Sequence, residues 1–114
     1  MNRKLRTGII GATGMVGQRF ITLLDNHPYF EITALAASAS SSGKTYRDAV
    51  SGRWKMHVGF SDRIGSMNVL DASDIEGVKE HVDIVFCAVD MSKDEIKKLE
   101  EEYARAEIPV ISNN

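Results

Sequence analysis

Short apolar runs alternate along the chain with segments whose apolar residues are spaced as on one face of a helix. Five runs predict strands, because residues covered on both faces of a parallel sheet are nearly all apolar. The runs occupy residues 5–10, 31–37, 67–70, 82–89 and 108–111. Such alternation predicts right-handed crossovers and a Rossmann-type, doubly wound α/β sheet with the strand order 3-2-1-4-5.

Three of the intervening segments carry helix signals. The first follows the first strand, has apolar residues at helical spacing, and ends at Asn26 and Pro28. The other two are predicted to begin at capping boxes, residues 73–76 and 92–95, in which a serine and a glutamate satisfy free N–H groups. Residues 44–66 predict an irregular, partly buried excursion with one short helix.

Length, charge and cysteine content exclude several classes of protein. The chain has 114 residues, which is the size of one domain, and its net charge of −2 gives no electrostatic basis for binding nucleic acid or an anionic membrane. No apolar run approaches a membrane span or a signal-peptide core, so we expect a cytoplasmic protein. One cysteine and three scattered histidines predict neither a disulfide nor a metal site.

A glycine-rich loop, Gly11-Ala-Thr-Gly-Met-Val-Gly17, lies between the first predicted strand and the first predicted helix. Gly11 permits a tight turn, Gly14 lets the backbone approach a pyrophosphate, and Gly17 lets the helix pack closely on the sheet. The free N–H groups and the positive dipole end of the following helix suit phosphate oxygens. In this strand–loop–helix context, the spacing G-x-x-G-x-x-G predicts a dinucleotide site.

The loop after the second predicted strand favours NADP over NAD. An NAD-selective site usually has an acid at the carboxyl end of that strand, and Glu31 stands at its other end. Residues 38–44 are small or hydroxyl-bearing, and they end in Lys44. We therefore expect Ser38, Ser41 and Lys44 to bind a 2′-phosphate, with Lys44 or Arg47 supplying charge-assisted hydrogen bonds. A solvated loop without a ligand is the alternative interpretation.

The single cysteine, Cys87, is predicted to be a buried thiol rather than a nucleophile. It lies within the apolar run of the fourth predicted strand, where a small buried thiol is common. A reactive thiolate needs an electropositive, partly open site and usually a base. Because Cys87 is near the carboxyl end of the strand, we expect it to line the nicotinamide side of the cleft.

With these motifs in place, the chain resembles the N-terminal domain of aspartate-semialdehyde dehydrogenases, particularly their archaeal and fungal branch. The resemblance is carried by residues 11–20, by residues 35–38 with 43–44, by residues 82–86 and by residues 111–113. It extends over essentially all of the chain, and the combination of segments is more specific than the glycine loop, which other reductases share.

The resemblance implies the NADPH-dependent reductive dephosphorylation of aspartyl 4-phosphate to aspartate semialdehyde, on the route to lysine, threonine and methionine. It assigns the pyrophosphate to Thr13, Gly14, Met15 and Val16, the 2′-phosphate to Ser38, Ser41 and Lys44, and the nicotinamide end to the stretch around Ala88 and to Asn113.

The resemblance also implies that the catalytic cysteine and histidine of the family lie in a second domain. We therefore expect residues 1–114 to be a cofactor-binding piece that holds no catalytic residue and is inactive alone. The full-length enzyme is expected to be a homo-oligomer acting on aspartate semialdehyde and phosphate.

Three alternatives stay open at this point: an N-acetyl-glutamyl-phosphate reductase, a malonyl-CoA reductase, and a free-standing nucleotide-binding or sensor module. Residues 35–38 and the long segment 44–66 favour an aspartate-semialdehyde dehydrogenase over the first of these.

Overall fold

Five parallel strands and five helices make up the part of the chain that the structure, a computed structural model, describes: residues 4–112. The strands are β1 (Leu5–Ile10), β2 (Phe30–Ala37), β3 (Val69–Asp71), β4 (Ile84–Cys87) and β5 (Val110–Ser112). The helices are α1 (Met15–Leu24), α2 (Tyr46–Ala49), α3 (Asp62–Ser66), α4 (Ile75–Lys79) and α5 (Lys93–Arg105). The sheet order is β3-β2-β1-β4-β5, which confirms the predicted doubly wound α/β topology.

The sheet has a hydrophobic core on each face, because successive residues of a strand point to opposite sides. Ile9 of β1 belongs to one core and Ile10 to the other, and both side chains are fully buried. The core around Ile9 is covered by α1, α2 and α3. The core around Ile10 is covered by α4 and α5. Helices on both faces explain why the strands consist of almost continuous apolar runs.

Three strands are shorter or later than predicted. β3 begins two residues later than expected, β5 also begins two residues later, and β4 spans four residues rather than the eight of its apolar run. Val82 and Val89, at the two ends of that run, are buried outside the ladder. The apolar runs therefore predict correctly which residues are buried, but they predict longer strands than the structure has.

The prediction of one short helix in residues 44–66 is wrong, since the segment forms both α2 and α3. A hydroxyl caps each helix: Thr45 Oγ1 accepts from the Asp48 N–H at 3.3 Å, and Ser61 Oγ accepts from the Ile64 N–H at 3.3 Å. Each cap satisfies one of the amides that a helix start leaves free.

The two predicted capping boxes have different outcomes. Ser92 caps α5: its Oγ accepts from the Glu95 N–H at 3.3 Å and donates to the Glu95 carboxylate at 2.9 Å. The box at residues 73–76 is wrong, because Asp74 is the N-cap of α4. The Ser73 N–H and hydroxyl instead donate to Asp71 Oδ1, at 2.9 and 2.7 Å.

Cys87 is buried in the core between the sheet and α5, where its side chain is 1% exposed. Burial raises its pKa from an ordinary 9.0 to about 11, and the neighbouring Glu100 carboxylate contributes in the same direction. A protonated, enclosed thiol is inert. The expectation that Cys87 lines the nicotinamide side of the cleft is wrong, because its side chain points into this core.

Gly17 lies where α1 touches the loop that precedes it. A Cβ added to Gly17 would collide with the Gly11 carbonyl oxygen and stand 2.9 Å from Ala12 Cα. Both obstacles are backbone atoms, which cannot rotate away as a side chain can. The close packing expected of the third glycine is therefore required by the fold.

We expect Gly17→Ala to lower the free energy of unfolding by about 3 kcal/mol, the upper range for overpacking against an immobile neighbour. Gly59→Ala is the matched control, because a Cβ there meets nothing within 4 Å. Urea unfolding followed by circular dichroism measures both variants. Equal midpoints for the two would contradict the packing argument.

The buried Cys87 thiol makes the stability of the chain depend on pH. Its pKa is higher in the folded chain than in the unfolded chain, so its stabilising contribution is complete below pH 9 and is lost as the pH rises toward 11. Between pH 8 and pH 10.5 the free energy of unfolding of the wild-type chain should fall by about 2 kcal/mol through this thiol, on the scale of 1.36 kcal/mol per pKa unit. Cys87→Ala lacks the thiol, so its free energy of unfolding should fall less over the same range. Urea midpoints at pH 8 and pH 10.5 test this, and an identical loss in both proteins would refute it.

Candidate functional site

The glycine loop lies beyond the carboxyl end of β1, at the topological switch point, where β2 lies on one side of β1 and β4 on the other. Gly11 has a φ of +88°, a left-handed conformation that favours glycine. A Cβ at Gly11 would stand 2.7 Å from the Ala88 carbonyl carbon, so the loop packs directly against the chain that leaves β4. The N–H groups of Gly11 and Ala12 both donate to the Ala36 carbonyl, at 2.8 and 3.0 Å. These contacts fasten the loop to both neighbouring strands.

Two buried side chains hold successive carbonyls of the loop. The Tyr46 hydroxyl donates to the Ala12 carbonyl at 2.7 Å, and Gln18 Nε2 donates to the Thr13 carbonyl at 3.0 Å. Burial raises the pKa of Tyr46, which keeps its hydroxyl a donor. Since N–H and C=O of a trans peptide point in opposite directions, the Thr13 N–H points away from Tyr46.

Gln18 also joins the glycine loop to the excursion between α2 and α3. Its Nε2 donates to the Arg53 carbonyl at 3.1 Å, and its Oε1 accepts from the Lys55 N–H at 2.9 Å. Trp54, between those two residues, packs edge-on against Tyr46, with ring centroids 6.3 Å apart. A glutamine that is 2% exposed thus has both ends of its amide satisfied, as burial requires.

The start of α1 is uncapped. Gly14, its N-cap, supplies no side-chain hydrogen bond, and its first turn has no acidic residue. Within residues 4–112, the N–H groups of Thr13, Met15, Val16 and Gly17 donate to no protein acceptor. The helix therefore offers free donors and its positive dipole end to an anion.

A cavity of about 420 Å³ opens beside this loop, along the carboxyl ends of the strands. Its walls come from the glycine loop and from the segments after β2, β3 and β4. The lining residues are Gly11, Thr13, Gly14, Ala37, Ser38, Ala39, Asp71, Ala72, Ser73, Ala88, Val89, Asp90, Met91 and Leu99. Its position at the topological switch point is where ligands of doubly wound folds bind.

Five of the residues predicted for the site line this cavity: Gly11, Thr13, Gly14, Ser38 and Ala88. The side chains of Met15 and Val16 are exposed and line a separate groove on α1. These two residues contribute to the free helix start through their backbone N–H groups and not through their side chains.

Ser41 and Lys44 lie in the loop behind Ser38, outside the cavity wall. Ser41 is 4% exposed, and its N–H donates to the Ser38 carbonyl at 3.0 Å. Lys44 is exposed, and its N–H donates to the Ser41 carbonyl at 3.3 Å. The Lys44 carbonyl accepts from the Val69 N–H at 2.8 Å, which fixes the loop to the start of β3.

Sequence reasoning missed Asp71, the last residue of β3, and Ser73 behind it, and it missed Asp90 and Met91 after β4. The signal that would have found them is positional: each ends or follows a strand, at the edge of the sheet where the ligand was expected. Asn113, also assigned to the nicotinamide end, lies outside the described residues. Among those residues, no three histidine, cysteine, aspartate or glutamate side chains are grouped to hold a metal. No helix there is long and apolar enough to cross a bilayer.

Comparison with known proteins identifies the family. The profile of the semialdehyde dehydrogenase NAD-binding domain matches residues 6–114. Aspartate-semialdehyde dehydrogenase of Aspergillus fumigatus is 42% identical over 110 residues, or 96% of this chain and 29% of the relative. That of Methanothermobacter thermautotrophicus is 41% identical over 109 residues, with the same two shares. These matches confirm the predicted resemblance to the archaeal and fungal branch.

Solved structures agree in fold. The crystal structure of the Candida albicans aspartate-semialdehyde dehydrogenase with NADP superimposes with a TM-score of 0.86 and 38% identity, covering 97% of this chain and 30% of that one. The chain thus spans about three tenths of the length of the relatives it matches. With its switch-point cavity, its glycine loop and a profile match over nearly its whole length, the chain belongs to the semialdehyde dehydrogenase family and carries that family's NAD-binding domain.

Proposed function

We propose that residues 1–114 are the cofactor-binding domain of an NADP-dependent aspartate-semialdehyde dehydrogenase, which reduces aspartyl 4-phosphate to aspartate 4-semialdehyde in amino-acid biosynthesis. The observation that carries the proposal is the uncapped start of α1 beside a cavity in which the loop that follows β2 has hydroxyls and no acid. The relatives bear the name of this enzyme, and one of them was solved with NADP.

In this proposal the pyrophosphate lies over the glycine loop. The free N–H groups of Thr13, Met15 and Val16 donate to its oxygens, and the dipole of α1 stabilises its charge. Gly11 and Gly14 keep side chains away from the approaching backbone. The Tyr46 and Gln18 hydrogen bonds hold the loop carbonyls away from the bound anion, so the loop needs little reordering when the cofactor binds.

The 2′-phosphate is proposed to lie at Ser38, with Lys44 supplying the countercharge. Ser38 is exposed on the cavity wall, and its hydroxyl pairs with that of Ser40 at 3.0 Å, so two donors stand together. Ser41 contributes through its backbone, which holds Ser38 and Lys44 in one tight loop. The acid that binds a 2′-hydroxyl in NAD-selective sites belongs at the end of β2, where this chain has Ala37 and Ser38.

The nicotinamide, which supplies or accepts the hydride when the cofactor is bound, is proposed to lie toward Ala88 and Val89. These two residues and Met91 give that end of the cavity apolar contacts for the ring, and Asp90 lies beside them. Among residues 4–112 there is no accessible thiol at the nicotinamide end, because Cys87 is buried between the sheet and α5. Covalent chemistry on the acyl phosphate is therefore assigned to the remainder of the enzyme. The proposal also places a homo-oligomeric enzyme in the cytoplasm, where a free thiol stays reduced.

We expect the chain to bind NADP at least about tenfold more tightly than NAD, because the 2′-phosphate gains charge-assisted hydrogen bonds. Lys44→Ala should remove most of this difference by weakening NADP alone, whereas Lys79→Ala, on α4, should not. Isothermal titration at low ionic strength measures both cofactors. Equal affinities of the wild-type chain for NAD and NADP would contradict the assignment of the serine loop.

For the full-length protein that contains this domain, we expect NADP reduction with aspartate semialdehyde that depends on inorganic phosphate. The 114-residue chain alone should show none, because it lacks the groups that form and break the acyl bond. Absorbance of NADPH at its nicotinamide band follows the reaction. Activity confined to N-acetylglutamate semialdehyde would support the reductase alternative instead, and cofactor binding without any turnover would support a sensor.

A further inference from the structure

Asp71 is a charged side chain in the cavity wall that the proposed function does not yet use. It is the last residue of β3 and pairs in register with Ala37 of β2, the residue before Ser38. Asp71 therefore lies at the β3 edge of the cavity, and two strands, β2 and β1, separate it from β4, which leads to Ala88 and the nicotinamide end. Any cofactor group that it meets belongs to the adenosine half.

Hydrogen bonds from Ser73 fix the orientation of the Asp71 carboxylate. The Ser73 N–H and hydroxyl both donate to Oδ1, at 2.9 and 2.7 Å. Oδ2 receives no hydrogen bond from any residue in the described range. The same Ser73 hydroxyl, followed by the Ser73 N–H, lowers the pKa of Asp71, so the carboxylate is ionised at neutral pH.

The chemistry of an ionised carboxylate limits what it can recognise. It accepts hydrogen bonds and donates none, and it repels phosphate oxygens. Beside it the wall is made of small or apolar side chains, Ala37, Ala72 and Leu99, which suit the face of a flat ring. Adenine has one exocyclic donor, its 6-amino group, and the edge that carries it is the part of the base farthest from the ribose.

We propose that Asp71 Oδ2 accepts a hydrogen bond from the 6-amino group of the adenine ring and thereby makes the site selective for adenine over 6-oxopurines. This inference rests on the proposed function, because it needs a bound adenine dinucleotide. A 6-oxo group would place a second acceptor against Oδ2, so the hydrogen bond would be replaced by repulsion between two oxygen atoms. Asp71 is thus a specificity-determining residue of the cofactor site.

The substitution Asp71→Asn gives a direct test. The amide keeps an oxygen for the two Ser73 donors, so its NH₂ occupies the position of Oδ2 and turns an acceptor into a donor. We expect the wild-type chain to bind NADP about tenfold more tightly than its hypoxanthine counterpart, which has a 6-oxo group in place of the 6-amino group and a proton on N1. In Asp71→Asn this preference should disappear or reverse. Asp94→Asn, which changes an exposed carboxylate in the first turn of α5, is the control with the same charge change and should keep the wild-type ratio.

Isothermal titration of the purified chains with NADP and with the hypoxanthine analogue measures the ratio, and circular dichroism confirms that each variant is folded. An unchanged preference in Asp71→Asn, or equal binding of both dinucleotides by the wild-type chain, would overturn the inference while leaving the proposed function intact. Failure of the wild-type chain to bind either dinucleotide would instead overturn the proposed function, and the inference with it.

Discussion

The hydrogen bond from the buried Tyr46 hydroxyl to the Ala12 carbonyl is the contact on which the site depends. A loop of small residues has no side-chain packing of its own, so its conformation must be imposed by neighbours. Tyr46 and Gln18 impose it at two adjacent carbonyls, while the Ala36 carbonyl holds the amides of Gly11 and Ala12. The amides that remain free are those that suit a phosphate.

Through these hydrogen bonds, the segment between β2 and β3 takes part in the site. Its first residues form the serine loop, its first helix carries Tyr46, and its middle receives the amide of Gln18. At its end, Val69 exchanges backbone hydrogen bonds with Gly43 and Lys44. The two proposed phosphate-binding elements are therefore parts of one hydrogen-bonded unit.

The sequence predicted the sheet order and the glycine loop because both depend on local signals, apolar runs and glycine spacing. It could not reveal α2 and α3, because helices of four and five residues are too short to show a period and are held by Tyr46, Ile64 and their caps. The sequence assigned the start of α4 to Ser73, but at the end of β3 Ser73 donates to Asp71, and Asp74 caps the helix instead. The role of Gln18 was hidden because all three of its partners are backbone groups.

Trp54 gives the chain an intrinsic fluorophore next to the site. It is the single tryptophan of the sequence, and its indole stacks edge-on against Tyr46 and Phe60 while its two neighbours are bound by Gln18. Emission from an indole changes with the packing and polarity around it. Tyr46 and Gln18 connect the glycine loop to the residues around this ring. We therefore expect a rearrangement of the loop to change the fluorescence of the unlabelled chain.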